Sequence, residues 1–203
     1  MKEDFSRGKE LVFFIKSRLL ILRRSVQNLF VPIKQHKTPK AAPKSTPLIE
    51  ISTILFTSVK PSENYLRLGK IENLRICARK LNGIFVPKGE IFSFWRQIGI
   101  PLAAQGFVEG REMRHGCLIP TIAGGICQLS SSLYHIAQNS NQEIIERYGH
   151  TKLVEGAVFG EGQDANVYWN YIDFRFRAVQ DLILKVRLSQ SNLIVGFEAI
   201  INE

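Results

Sequence analysis

In the stretch from Ala123 to His135, AGGICQLSSSLYH, two glycines and an isoleucine directly precede a cysteine. Apolar residues then recur at helical spacing and predict a helix from Ile126 to about Gln138. Cys127 would lie in the first turn, where unpaired backbone N–H groups and the helix dipole favour an anion. A helix start can lower the pKa of a cysteine and so favour the nucleophilic thiolate. The alternative is a small, inert residue of the core.

A nucleophilic thiol needs a base, and His150 is the best-placed histidine of the sequence. It follows a short apolar segment, Glu143 to Arg147, that we expect to be a strand returning beside the helix. Asp164 would orient the His150 ring, as the third member of a catalytic triad does. His135 is about two helical turns from the cysteine and on another face. We therefore expect Cys127, His150 and Asp164 to form the catalytic group.

Four more residues are candidates for binding the substrate: Gly124, Gly125, Gln128 and Ser131. The glycines lack a Cβ atom, so a peptide backbone could approach the sulfur closely. The Gln128 amide, the serine hydroxyl or the N–H groups of the first helical turn could donate hydrogen bonds to an oxyanion.

A zinc site built from His115, Cys117, Cys127 and His150 is an alternative use of the cysteine. The closely spaced second pair of ligands that is typical of such sites is missing, so we expect no metal. Neither GxxxxGK nor GxGxxG follows a predicted strand, so no nucleotide cofactor is expected.

The three cysteines, Cys77, Cys117 and Cys127, cannot all pair within one chain, and no CxxC is present. Cys77 lies beside the apolar stripe of a predicted helix and should be buried. Unpaired thiols without an export signal favour a cytoplasmic location.

The net charge of +9 is concentrated at the N-terminal side of the chain. Residues 1 to 44 hold eleven Lys and Arg against three Asp and Glu, which gives +8 and leaves +1 for the remaining residues. A nucleic-acid-binding domain would carry its basic residues on the folded body, so we expect no nucleic acid partner.

The basic segment from Leu11 to Phe30 is apolar but is interrupted by Lys16, Arg18, Arg23 and Arg24. Its charge-free runs are shorter than a signal peptide or a membrane span requires. A basic amphipathic helix over residues 9–30 would either contact an anionic membrane surface peripherally or pack on the domain.

Prolines and lysines dominate the segment from Gln35 to Pro47, which predicts an exposed, extended linker that includes His36. The predicted organisation is therefore a basic helix and linker over residues 1–47, followed by a single compact domain over residues 48–203.

Within that domain, apolar spacing predicts an amphipathic helix over residues 70 to 82. Two short extended segments, 84 to 86 and 91 to 95, should follow it, and the glycine-rich part from Gln97 to Gly125 should be mostly loops. Alternating residues predict a hairpin over 181 to 199, and aromatic residues indicate further strand over 166 to 177. Amphipathic helices packed on an antiparallel sheet make the fold class α+β.

Four segments occur in order along the chain. They are LNGIFVPKGEIFSFW from Leu81, AGGICQLSSSLY from Ala123, IERYGHT from Ile145 and GQDANVYWNYIDFRF from Gly162. Their sequences, order and spacing resemble the motif blocks of the VanW family, the vancomycin B-type resistance accessory proteins. The resemblance covers about residues 66 to 178.

Three positions depart from the family pattern. Ala123 stands where the family usually has a glycine, Tyr148 where it often has a histidine, and Ala178 where it tends to have an asparagine. The family's second histidine corresponds to His150, which leaves this residue as the base of that block.

The resemblance implies a link to glycopeptide resistance and to the cell wall without fixing an activity. Joined to the cysteine chemistry, it favours a hydrolase or acyltransferase acting on a peptide or amide bond of a cell-wall precursor. A non-catalytic module that binds a carboxylate or a peptide terminus is the second hypothesis. A membrane-surface accessory protein docked through its N-terminal helix is the third.

Overall fold

Helices and antiparallel strands make up the part of the chain that the computed structural model describes, namely residues 7–30, 33–41, 43–55, 61–114, 117–149, 158–160, 162–169 and 171–201. The helices are α1 (Arg7–Phe30), α2 (Asn64–Leu81), α3 (Phe94–Ile98) and α4 (Cys127–Asn139). The strands are β1 (Ser45–Ile54), β2 (Phe85–Val86), β3 (Ile91–Ser93), β4 (Glu109–Arg114), β5 (Cys117–Ile122), β6 (Glu143–Glu146), β7 (Arg175–Arg177), β8 (Leu182–Leu188) and β9 (Asn192–Ile200). The α+β class predicted from the sequence is confirmed.

The strands of the described residues form three antiparallel sheets. The largest has the order β1-β9-β8-β2, so the strand that comes last in the chain lies inside this sheet. A second sheet has the order β3-β7-β6, and β4 pairs with β5 in a separate two-stranded sheet. The helix α4 packs against β9 and β1 of the largest sheet, which fixes the position of Cys127 at its first residue.

Contacts between aromatic rings connect the first two sheets through the core. Phe176 of β7 lies 5.0 Å from Phe92 of β3 and 5.4 Å from Phe197 of β9, measured between ring centroids. All three side chains are buried. Burial of rings of this size contributes strongly to the stability of the folded protein, so these contacts hold the two sheets at a fixed separation.

A buried asparagine joins α2, β4 and the turn before α4. The Asn73 side chain donates hydrogen bonds to the carbonyl oxygens of Val108 and Gly124, at 3.0 and 3.1 Å, and accepts one from the Val108 N–H at 3.0 Å. Beside it, the backbones of Gly110 and Gly124 are in direct contact, so a Cβ on either residue would overlap the other. The absence of two side chains therefore lets the hairpin β4–β5 touch the start of α4.

The local sequence patterns agree with these elements in most places. The helix expected over 70 to 82 is confirmed and begins earlier, at Asn64, while the helix after Gly125 and the final hairpin are confirmed. The apolar segment before His150 is a strand, β6, as expected. Cys77 is fully buried, as expected.

Three expectations are wrong. The stretch from Gln97 to Gly125 contains the hairpin β4–β5 rather than loops alone, and residues 94 to 98 form the helix α3. His36 is buried, with its Nε2 atom 3.0 Å from the Ile91 carbonyl oxygen, because the segment before β1 packs along β3 instead of extending into solvent. Of the strand expected over 166 to 177, the described residues (166–169 and 171–177) form only β7 and an isolated bridge between Tyr168 and Ile172.

The basic segment forms α1 and contacts the body near its C-terminal end. The Arg24 guanidinium binds both carboxylate oxygens of Glu146 and donates to the Tyr171 carbonyl oxygen at 3.1 Å. Arg175 donates to the Asn28 side chain at 3.0 Å. In the described ranges, none of the helices has the combination of length and apolar character that crossing a bilayer demands.

Substituting Gly124 by alanine should destabilise the protein, because the new methyl group would overlap the Gly110 backbone. We expect a loss of about 1–3 kcal/mol in the free energy of unfolding, as is usual for overpacking, measured by urea denaturation. Gly160→Ala is the control, since the nearest atom to its Cβ would be 3.7 Å away. Equal stability of the two variants would contradict the close backbone contact.

Candidate functional site

The Cys127 side chain is half-buried at the first residue of α4. Its Sγ atom lies 3.3 Å from Asn166 Oδ1 and 3.8 Å from the Val167 carbonyl oxygen. Both partners accept hydrogen bonds, so the sulfur is held as a neutral thiol that donates its proton. The cysteine is therefore at the helix start that the sequence predicts, but its neighbours favour the protonated form.

The electrostatic surroundings act in the same direction. The pKa of the Cys127 thiol is raised to about 11, chiefly by burial and also by the negative charges of Glu112 and Asp164, while a hydrogen bond with the Val167 backbone lowers it. The favourable effect of the helix start does not overcome the loss of hydration. At neutral pH, attack by Cys127 would thus require that its proton be removed during the reaction.

Three backbone N–H groups at the start of α4 have no hydrogen-bond partner among the described residues: those of Gly125, Ile126 and Cys127. The residue before the helix, Ile126, has no side chain that could cap them. Gln128 is the first residue of this turn whose backbone N–H has a partner, and it donates to the Gly125 carbonyl oxygen at 3.3 Å. Unpaired N–H groups beside a thiol can donate to an oxyanion or a carboxylate.

Two serines of α4 hold the segment that carries the partner of the thiol. Ser130 Oγ donates to the Ala165 carbonyl oxygen at 2.6 Å, and Ser131 Oγ accepts from the Ala165 N–H at 3.0 Å. Both serines are buried. Ser131, expected to contact substrate, is thus bonded to Ala165, and this pairing sets the positions of Asp164 and Asn166 on either side.

Asp164 lies beside the strand end that leads to His150. Arg147 donates to its carbonyl oxygen at 2.7 Å and to its carboxylate at 3.3 Å, while the Arg147 guanidinium also lies 4.9 Å from the Tyr134 ring centroid. A Cβ placed on Gly149 would be 3.3 Å from Asp164 Oδ1. His150 itself lies outside the described residues, so the expected pairing of His150 with Asp164 and Cys127 stays a prediction.

The faces of the two glycines before Cys127 are covered by protein atoms. Gly124 contacts the Gly110 backbone, and the aliphatic part of Lys70 lies against Gly125. Gly125 has a φ of +91° and Ala123 one of +62°, so this turn uses the left-handed region twice. Glycine adopts such angles without strain, which gives a physical reason for the glycine that the resemblance predicts at position 123.

The Gln128 amide is engaged with the end of β1. Its Nε2 atom donates to Thr53 Oγ1 at 2.9 Å and to the Ile54 carbonyl oxygen at 3.0 Å. Its Oε1 atom is buried and has no hydrogen-bond partner in the described part of the chain. Since both donor hydrogens are used, the expected oxyanion contact falls to the backbone N–H groups.

Lys70 is a residue of this region that the sequence gives no reason to select. It extends from α2 across Gly125, and its ammonium lies 3.4 Å from the Leu55 carbonyl oxygen. Burial, and after it the positive charge of Arg111, lowers the pKa of Lys70 to about 8. It has no carboxylate partner among the residues that the structure describes. A desolvated ammonium without a counter-ion attracts an anion.

Asn166 and Glu112 were also missed by the sequence reasoning. Asn166 could have been found, because it lies in the last of the four segments, GQDANVYWNYIDFRF. Glu112 lies on β4, which was not predicted as a strand. Of the alternative zinc ligands, His115 and His150 lie outside the described residues. Among those residues that are described, no three His, Cys, Asp or Glu side chains cluster as metal ligands do.

The fold and the site together define an α+β domain with a half-buried cysteine at the start of a helix. A family model described as "VanW like protein" matches residues 69–197. The chain belongs to this family, as the four sequence segments predict.

Two curated relatives match the same region. The chain is 32% identical over 105 residues to the "Uncharacterized protein YoaR" of Bacillus subtilis (strain 168), a match that covers 52% of this chain and 34% of the relative. It is 31% identical over 120 residues to the "Vancomycin B-type resistance protein VanW" of Enterococcus faecalis (strain ATCC 700802 / V583), covering 58% of this chain and 44% of that protein. The match therefore spans less than half of either relative. No solved structure matches the chain.

The surroundings of Cys127 predict that its thiol loses its proton only at high pH in the free protein. Alkylation by iodoacetamide, followed at this residue by peptide mass spectrometry, should accelerate about tenfold per pH unit from pH 7 towards 10, because the pKa is raised to about 11. Glu112→Gln removes a negative charge, so it should lower the pKa of Cys127 and speed labelling at pH 9.

The matched control is Glu72→Gln on α2, whose carboxylate pairs with Arg75 and Arg79. It should leave the profile unchanged. A labelling rate that has already reached its plateau at pH 8 in the wild-type protein would contradict the buried, protonated thiol.

Proposed function

We propose that this chain is a thiol-dependent hydrolase or acyltransferase acting on a peptide or amide bond, with Cys127 as the nucleophile. The observation that carries the proposal is that the thiol and the unpaired N–H groups of Gly125, Ile126 and Cys127 occur together at the start of α4. Acyl transfer requires both parts, a nucleophile and donors for the oxyanion that forms when it attacks.

In the proposed reaction, Cys127 Sγ forms a bond to the carbonyl carbon of the substrate while the thiol proton passes to His150. The backbone N–H groups hold the oxyanion. The C–N bond then breaks, and the departing amine takes the proton from His150, which leaves a thioester on Cys127. Water or a second amine attacks the thioester and restores the thiol, giving hydrolysis or acyl transfer respectively.

The high pKa of Cys127 makes the base essential in this scheme. With a pKa of about 11, only about one molecule in 10⁴ would carry a thiolate at pH 7. His150 is the proposed acceptor of the proton. Asp164 is the proposed positioning residue, since its carboxylate lies beside Gly149, the residue that precedes His150. Ser131 supports this arrangement through its hydrogen bond with Ala165.

The proposed substrate is a peptide of a cell-wall precursor. Family membership supports this choice, because one matching relative is named as a vancomycin B-type resistance protein.

The test is to incubate the protein with synthetic cell-wall stem peptides and to measure both peptide cleavage and covalent adducts on the intact protein. The wild-type chain should gain the mass of the acyl group on Cys127 and turn the peptide over. Cys127→Ala should lose both, and His150→Ala should slow turnover by about 10²–10⁴-fold, the usual contribution of a general acid–base.

Cys77→Ala is the matched control. Cys77 is fully buried in the core and burial raises its pKa to about 12, so this substitution should leave adduct formation at Cys127 intact. Turnover that survives in Cys127→Ala would refute the proposed nucleophile.

The second candidate function is a non-catalytic module that binds the carboxylate of a peptide terminus. The observation that favours it is Lys70, whose aliphatic chain lies against Gly125 at the helix start and whose ammonium has no carboxylate partner among the described residues. A carboxylate could accept from these N–H groups and neutralise Lys70. In this function Cys127 is only a packed thiol that bonds to Asn166.

Two substitutions separate the candidates when peptide binding is measured by calorimetry. Lys70→Met keeps the aliphatic chain against Gly125 but removes the charge, and for a binding module it should weaken the affinity for a free carboxylate terminus at least tenfold. Cys127→Ser should then leave affinity unchanged. Wild-type affinity that persists in Lys70→Met, or for a peptide whose terminus is an amide, would contradict carboxylate recognition.

A further inference from the structure

The helix α1 contacts the body through polar side chains. Arg24 binds Glu146 and the Tyr171 carbonyl oxygen, and Asn28 accepts from Arg175. In the described residues, α1 contributes no side chain to the hydrophobic core. An amphipathic helix of a globular protein normally packs its apolar side chains against the core, so exposed apolar side chains on α1 need another explanation.

Five of the apolar residues of α1 form a stripe on the opposite side. We call this the α1 stripe: Val12, Ile15, Leu19, Leu22 and Val26. Their spacing of three and four residues places them on one face, centred about 180° around the helix from Arg24 and Asn28. Each is 46% to 62% exposed. A continuous row of exposed large apolar side chains indicates a surface that binds something.

Basic residues flank the α1 stripe on both sides. Lys16 and Arg23 lie on one flank and Arg18 on the other, each about 60–80° from its centre, and all three are exposed. From Val12 to Phe30 the chain contains no Asp or Glu. The exposed face of α1 therefore combines an apolar centre with cationic edges and carries no negative charge over that length.

This charge pattern decides between the possible occupants of the surface. Two copies of α1 packed stripe to stripe would bring Lys and Arg flanks together, and like charges at those positions oppose pairing. An anionic lipid surface accepts the apolar side chains among its acyl chains, while the lysine and arginine side chains reach the phosphate groups. The pattern matches a negatively charged membrane surface and not a second copy.

We propose that α1 docks this protein on an anionic lipid surface, lying in the plane of the bilayer with the α1 stripe inserted. The helix of 24 residues is about 36 Å long, so its whole stripe can contact lipid at once. Docking occurs on a surface separate from Cys127 and goes beyond the proposed acyl chemistry. Either proposal can fail without the other.

The test uses the full chain and sedimentation with two kinds of vesicle, pure phosphatidylcholine and phosphatidylcholine with 30% phosphatidylserine. We expect binding to the anionic vesicles and at least tenfold weaker binding to the neutral ones. Removing the flanking charges, in Lys16→Gln/Arg18→Gln/Arg23→Gln, should weaken binding on the order of 100-fold, about fivefold for each basic residue.

Leu19→Glu/Leu22→Glu tests the α1 stripe itself and should abolish vesicle binding. Leu102→Glu is the matched control, since Leu102 is an exposed leucine of the body, and it should bind as the wild type does. Melting curves of all variants should coincide, because none of the substituted side chains is buried.

Three outcomes would overturn the proposal. The first is the absence of binding to anionic vesicles at 0.15 M salt. The second is binding that Leu19→Glu/Leu22→Glu does not reduce. The third is a wild-type dimer, seen by sedimentation velocity, that Leu19→Glu/Leu22→Glu disrupts, together with no vesicle binding by either protein. That result would assign the α1 stripe to a second copy of the chain.

Discussion

The position of the site depends on one buried side chain, that of Asn73. Its amide hydrogens and its oxygen all bond to the backbone of Val108, the residue before β4, and of Gly124, in the turn before α4. Buried polar atoms that are fully satisfied fix geometry strictly, because any displacement leaves a donor or an acceptor unpaired. Since Gly110 and Gly124 allow the two backbones to touch, the start of α4 and hence Cys127 are held against β4 and its Glu112.

Local periodicity explains what could be predicted from the sequence. The helices α2 and α4 and the hairpin β8–β9 each carry their own apolar pattern, and Cys127 at the helix start follows from the two glycines before it. The hairpin β4–β5 has no such pattern. Its position depends instead on contacts with α2, which are distant in the sequence. The burial of His36 depends on the distant Ile91 carbonyl. The raised pKa of the thiol depends on Asn166, Glu112 and Asp164, which only tertiary packing brings near.

Strand β6 connects the two surfaces to which we assign functions. Its last residue, Glu146, binds Arg24 of α1, and the next residue, Arg147, binds Asp164 beside the site. Adjacent residues of an extended chain point in opposite directions, so the strand presents one charge to each side. The orientation of α1 and the position of Asp164 thus both depend on the same short segment. This segment therefore also sets how the site would be oriented relative to a lipid surface on which α1 lies.

The central location of β9 has a consequence for the order in which the protein is made. Within the part of the chain that the structure describes, β1 pairs with β9 alone, and the residues of β9 are synthesised about 140 positions after those of β1. The helix that begins with Cys127 packs on both. Pairing of such distant segments is slow and comes late in folding. The packing of α4, and with it the final position of Cys127, is therefore complete only after β9, which ends at Ile200, has been synthesised.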